Sequence, residues 1–228
     1  MTEIILVRHG ETDWNREDVF RGRTDIPLNQ TGVRQAKRVA IYLAKRKLDA
    51  VLSSPLKRAF ATAELVAQPH KLAVEKNADL IDFNYGEWQG LSHDQVKEMY
   101  GELYQDWLDH PEQVTMPGGE NLDDVRVRAL WVIQQAVRRF PKGVVVFVSH
   151  EVVGKVIVYT LLGLDHSYFW NIHLDNCGVT TFLAEASRFI LASHNETSFL
   201  GRRKRRQKPP RAGKGIQDSF RPHQPALL

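Results

Sequence analysis

Two short apolar runs, each delivering a histidine, constrain this chain more than any other feature. Ile4-Ile5-Leu6-Val7 leads into Arg8-His9-Gly10, and Val144-Val145-Val146-Phe147-Val148 leads into Ser149-His150. Runs this short, rich in β-branched residues and without polar alternation, read as strands buried on both faces, as in parallel sheets covered by helices. Gly10 frees the backbone to turn where the first run ends. Open α/β sheets place their ligand crevice at the C-terminal ends of the strands, and both histidines fall there. A histidine at an apolar strand end is by default a hydrogen-bonded structural residue. Arg8 beside His9, and the residues that follow, point to chemistry instead.

The rest of the chain alternates strand and helix. Strands are expected at 3–7, 50–52 and 144–148, and a closing hairpin at 178–184 and 188–193. Helices are expected over 32–47, capped by Thr31, and over 56–67, 92–100, 102–109 and 151–163. A long helix opens at Asn121 or Asp123 and runs to about 139, with Val127, Leu130, Trp131, Ile133, Gln134 and Val137 along it. Residues 80–90 read as an irregular loop, and no internal repeat is visible. This alternation predicts an α/β fold: a three-layer α/β/α sandwich with a mainly parallel central sheet. At 228 residues the chain is long enough for one sizeable core of this kind.

Other segments can complete a site around the two histidines. Ala50-Val51-Leu52-Ser53-Ser54-Pro55-Leu56-Lys57-Arg58 reads as strand, turn and helix start, and it brings Arg58. The loop from Leu80 to Gly90 offers Asp82 and Glu87. Two histidines, two arginines and an acid suit phosphoryl transfer. Guanidinium forks match phosphate oxygens in pairs. A neutral imidazole can attack phosphorus, and a carboxylic acid can protonate the leaving oxygen. The histidines lack the close ligand spacing of a zinc site, and there is no cysteine pair. His93, His110, His166, His173 and His194 are read as structural or solvated.

These segments resemble the histidine phosphatase superfamily, in its phosphoglycerate-mutase-like branch. The likeness is carried by Arg8-His9-Gly10-Glu11-Thr12, Trp14-Asn15, Phe20, Gly22, Asp25, Leu28 and Thr31-Gly32. It continues through Ser53 to Ala59 with Thr62-Ala63, Tyr85 to Gly90, Pro117-Gly118-Gly119-Glu120 and Val148-Ser149-His150. It spans roughly residues 3–195, and the order and spacing of the motifs make it specific. It implies a phosphomonoester hydrolase working through a phosphohistidine, without a metal or other cofactor. His9 matches the nucleophile. Arg8 and Arg58 match residues that hold the phosphoryl oxygens, with His150 adding a donor, as an imidazolium in one reading, and Asn15 a neutral one. Asp82 aligns where relatives usually carry Glu, so it is the favoured proton donor, with Glu87 as its rival. Glu151 stands where relatives often have a small residue. It caps a helix or repels a second anion on the substrate.

The same resemblance leaves a mutase as the alternative activity. Mutases of this family carry paired arginines in an insertion after the segment matched by 86–90. Here residues 91–116 hold Lys97 as their only Lys or Arg, among acids and aromatic side chains, which favours a phosphatase acting on a small phosphorylated metabolite. A non-catalytic phosphate-binding protein is a further alternative, opposed by the intact set of Arg8, His9, Arg58 and His150.

Charge divides the chain. Residues 201–228 carry nine of the 31 Lys/Arg and one of the 27 Asp/Glu, a net of +8, so residues 1–200 carry −4. The chain therefore reads as a catalytic domain over 1–200 and a basic, disordered tail over 201–228. Such a tail can attract nucleic acid or an anionic surface, although it needs no dedicated partner. Cys177 is the only cysteine, no leader-like segment is visible and no apolar run approaches the ~18 residues of a membrane span, so a cytoplasmic location is expected. Truncation after Leu200 is expected to leave kcat and the thermal midpoint nearly unchanged while lowering the isoelectric point. A clear fall in either activity or melting temperature would place the boundary elsewhere.

Overall fold

The computed structural model describes residues 1–185 and 188–201. The basic tail from Arg202 onward lies outside the described residues. Six strands form one sheet: β1 (Thr2–Arg8), β2 (Ala50–Ser53), β3 (Val74–Lys76), β4 (Val144–Ser149), β5 (Val179–Glu185) and β6 (Arg188–Glu196). Their order is β3-β2-β4-β1-β5-β6. The β3-β2-β4-β1 pairings are parallel, whereas β5 runs antiparallel to both of its neighbours. The predicted three-layer α/β/α class is the one observed.

The period-2 alternation of side chains sends each central strand into two cores. Ile5, Val7, Val51, Val146 and Val148 pack with Ala36, Val39, Leu43, Ala59, Ala63 and Val66 of α2 (Gln30–Leu43) and α3 (Lys57–Ala67). Ile4, Leu6, Leu52, Val145 and Phe147 face α6 (Leu122–Arg139) and α7 (Glu151–Leu161) on the other side. That second core also takes up the insertion, α4 (His93–Met99) and α5 (Gly101–Asp109), through the buried rings of Trp88, Trp107, Phe83 and Phe169.

Several details differ from expectation. Asn29, not Thr31, caps α2, its side chain accepting from Gly32 N–H at 2.9 Å. Both residue types cap well, and only the true helix start separates them. Asn121 rather than Asp123 caps α6, in a reciprocal pairing with Asp124. Val127 (67% exposed) and Trp131 (55%) point outward from α6, whose buried stripe is Val125, Ala129, Val132, Ile133 and Ala136. Neither α1 (Asp13–Glu17) nor β3 was expected; each is too short for periodicity to register. α7 ends at Leu161, two residues short of its predicted limit, and Gly163 turns the chain just beyond it at φ +75°.

Candidate active site

The two histidines are brought together by strand pairing. β1 and β4 run side by side with Arg8 opposite Ser149, and His9 N–H donates to Ser149 O at 2.9 Å. The next residues, His9 and His150, therefore leave the sheet together, with ring centroids 5.2 Å apart. β2 pairs with β4 on the other side, and Ser54 N–H donates to Val148 O at 3.0 Å. That pairing starts α3 at the same sheet edge and brings in Arg58. Thr62 ties α3 to the His9 turn: its hydroxyl accepts from Gly10 N–H at 3.1 Å and donates to Arg58 O at 2.7 Å. The turn is tight, since a Cβ on Gly10 would lie 2.6 Å from Gly32 O.

His9 is buried, and its Nδ1 lies 2.7 Å from Gly10 O. A carbonyl only accepts, so Nδ1 carries the proton and Nε2 keeps its lone pair. Burial, then Arg58, Arg8 and Arg21, hold the His9 pKa well below its ordinary value. The imidazole is thus neutral and nucleophilic. His150 is depressed in the same way by burial, Arg58 and His9. In the free protein, then, burial and the neighbouring cations hold this ring toward its neutral form. His150 Nε2 lies 2.7 Å from Ser54 Oγ. Its Nδ1, 3.4 Å from Asp82 Oδ2, makes no hydrogen bond among the described residues.

Both arginines are fixed by protein groups. Arg8 donates through Nη1 to Leu174 O at 2.5 Å and pairs through Nη2 with Glu151 at 2.8 Å. Arg58, fully buried, donates through Nη1 to Thr24 O at 2.8 Å. Its Nη2 donates to Gly22 O at 2.7 Å and to Asp82 Oδ2 at 2.9 Å. The Nε of each is buried without a partner. Buried donors without partners cost free energy, and an anion is the ligand that satisfies them.

Asp82 is buried on Arg58 and beside His150, and Phe83 N–H donates to its other oxygen at 2.9 Å. Its rival Glu87 is exposed and accepts from Tyr100 Oη at 2.7 Å. Asn15, on α1, accepts through Oδ1 from Thr12 N–H at 2.9 Å and from Thr12 Oγ1 at 3.0 Å. Its amide hydrogens are left for another acceptor. Glu151 opens α7 just after its N-cap residue, His150, and its carboxylate holds Arg8. His166 bridges Tyr159 and Asp123 at the surface, and His93 meets Tyr104.

Two elements of the site escaped the sequence reading. Arg128 on α6 donates to the carbonyls of Asp79 and Ile81 at 2.7 Å each and pairs with Glu120, which Arg23 also holds. This lattice fixes the loop that carries Asp82. Glu120 was visible within Pro117-Gly118-Gly119-Glu120, but nothing in its spacing named Arg128. The second is Arg21, whose charge bears on both histidines and both arginines.

A neutral buried imidazole among arginines, at the C-terminal edge of a parallel sheet, defines a phosphoryl-transfer enzyme of α/β/α architecture. Residues 4–197 match the model of the histidine phosphatase superfamily, branch 1, and the chain belongs to that family. It is 35% identical over 201 residues to phosphoserine phosphatase 1 of Hydrogenobacter thermophilus, covering 88% of this chain and 95% of that protein. Among solved structures it is similar to YhfR of Bacillus stearothermophilus, with a TM-score of 0.85 at 28% identity over 88% of this chain and all of that one. It is also similar to phosphoserine phosphatase from Entamoeba histolytica in complex with 3-phosphoglyceric acid, with a TM-score of 0.78 and 28% identity over 88% and 100% of the two chains. The chain is a phosphomonoester hydrolase of the histidine phosphatase type.

The depressed histidines carry a stability consequence. Below about pH 6.5 an unfolded histidine takes up a proton that His9 and His150 in the fold refuse. Stability is therefore complete above that pH and falls as pH drops through it, by up to ~1.4 kcal/mol per unit for each residue. Denaturant midpoints measured from pH 7.5 to 5 should fall in the wild type and fall less steeply in His150→Asn. Identical slopes would show that His150 titrates normally.

Proposed function

We propose that the chain hydrolyses small phosphomonoesters through a phosphohistidine on His9. The observation that carries this reading is the neutral His9, its Nε2 lone pair freed by the Nδ1 contact with Gly10, beside the unpartnered Nε of Arg8 and Arg58. Nε2 attacks phosphorus while Arg8, Arg58, Asn15 and the Nδ1–H of His150 hold the phosphoryl oxygens. One well-aimed donor of this kind is worth about 3 kcal/mol in the transition state. The ester oxygen leaves with a proton from Asp82. That proton arrives with the ester, whose second ionisation lies near ~6. Water then attacks the phosphohistidine and gives a proton back to Asp82. The P–N bond breaks, its electrons return to Nε2, and inorganic phosphate departs.

No step calls for a metal, because the arginines supply the positive charge that phosphoryl transfer requires. Hydrolysis is favoured over mutase activity by the insertion, where Lys97 is exposed and α4 and α5 present aromatics and acids rather than paired arginines. The domain reading belongs to the same proposal: catalysis resides in 1–200, the family match ending at 197, and 201–228 is a separate basic tail. A reducing, cytoplasmic setting fits the lone, buried Cys177. No helix among the described residues is long and apolar enough to cross a membrane.

Phosphate release from a panel of phosphomonoesters, with EDTA present, tests the activity. Asp82→Asn tests the acid. It should slow hydrolysis of alkyl esters by ~10²-fold or more, yet slow nitrophenyl phosphate far less, because nitrophenolate needs little protonation. Equal losses on both would give Asp82 a structural role and return the question to Glu87.

A further inference from the structure

Arg21 is the cation at this site that the mechanism leaves unused. The other arginines around it each sit on a carboxylate: Arg8 on Glu151, Arg58 on Asp82, Arg23 and Arg128 on Glu120. Arg21 has no carboxylate within ion-pair distance among the described residues. Its one hydrogen bond is from Nη1 to Trp14 O at 3.2 Å, and its Nε is buried without a partner.

Its place is held from several directions. Phe20 pairs with the insertion through two backbone bonds, its N–H to Leu91 O at 3.0 Å and its O from Gly90 N–H at 2.9 Å. The Phe20 ring packs edge-on against Trp88 and Tyr85. Gly22 turns the chain at φ +49°, where a Cβ would strike the Gln89 side chain, and its carbonyl receives Arg58. Arg21 is thus adjacent in sequence to a direct partner of Arg58. Its guanidinium reaches the carbonyl next to Asn15 on α1. Its charge bears on His9 and His150, so it lies close to the strand ends where both emerge.

We propose that Arg21 is a specificity residue that binds a second anionic group, a carboxylate, on the body of the phosphomonoester. This rests on the hydrolase reading above. The transferred phosphoryl group already has Arg8, Arg58, His150 and Asn15. A further guanidinium close to that group, held by one hydrogen bond and without a carboxylate partner among the described residues, suits an anion carried on the substrate's carbon skeleton. A site built around such a group rejects analogues lacking it, because the guanidinium is then left desolvated and unpaired. The preferred substrate is therefore a small phosphorylated carboxylic acid.

Matched pairs of esters test the assignment. O-phosphoserine differs from O-phosphoethanolamine by its carboxylate, and 3-phosphoglycerate from glycerol 3-phosphate by replacement of a carboxylate with a hydroxymethyl group. In at least one pair the wild type should favour the acid in kcat/KM by ~10-fold or more. Arg21→Gln should abolish most of that ratio, and Arg21→Lys should restore part of it. No preference in the wild type, or ratios unchanged in Arg21→Gln, would overturn the proposal. A loss equal for both members of each pair would place Arg21 on the phosphoryl group and overturn it as well. If the wild type releases no phosphate from any of the four esters, the hydrolase reading fails by itself. The same ratios, taken as dissociation constants by calorimetry, then decide whether Arg21 binds the carboxylate.

Discussion

The register between β1 and β4 is the constraint on which the site depends. Arg8 must lie opposite Ser149 for His9 and His150 to emerge side by side. That register is locked by burial on both faces: Ile4 and Leu6 face one core, Ile5 and Val7 the other, and β4 mirrors them. A slip of one residue would exchange the two sets and misplace every side chain in both cores. Each buried aliphatic side chain contributes about 1.5–3 kcal/mol, so the alternative registers are excluded by a wide margin. The catalytic spacing thus follows from packing the sheet, with no separate device needed to hold the rings together.

Electrostatics then converts that geometry into reactivity. Three arginines crowd two imidazoles, and burial removes the water that would screen them, so both rings stay neutral. Carboxylates offset part of the positive charge and aim it: Asp82 on Arg58, Glu151 on Arg8, and Glu120 on the two arginines that brace the Asp82 loop. Among the buried nitrogens left without partners in the described residues are the Nε of Arg8, the Nε of Arg58 and the Nδ1 of His150. A phosphoryl group supplies acceptors for all three. The cost of leaving them unpaired in the free protein is recovered when it binds, and the donors need no rearrangement as charge develops.

How much of this was legible in the sequence depended on range. The strands around His9 and His150 were plain because buried parallel strands read as continuous apolar runs. Arg58 was plain because it opens a helix directly after such a strand. The sheet class followed from alternation alone. Short elements carried no such signal: β3 is three residues, Val74-Glu75-Lys76, recognisable only by its pairing with β2. On α6 the apolar residues Val127 and Trp131 mimic a core stripe that the helix turns to solvent. Arg21 and Arg128 were invisible for a different reason. A loop and a distant helix deliver them, and their roles exist only once Gly22 turns the chain and Glu120 crosses to meet it. Glu151 was half legible. Its place at a helix start was clear, but its partner Arg8, 143 positions earlier, was not.

The central claim is that a neutral His9 accepts the phosphoryl group. Rapid quench of the enzyme turning over a radiolabelled phosphomonoester, followed by peptide mapping, tests it most directly. The account predicts a base-stable, acid-labile phosphoryl adduct on His9, absent from His9→Ala, together with a loss of at least ~10³-fold in kcat for that variant. Substantial turnover by His9→Ala, with no adduct on His9 in the wild type, would contradict it.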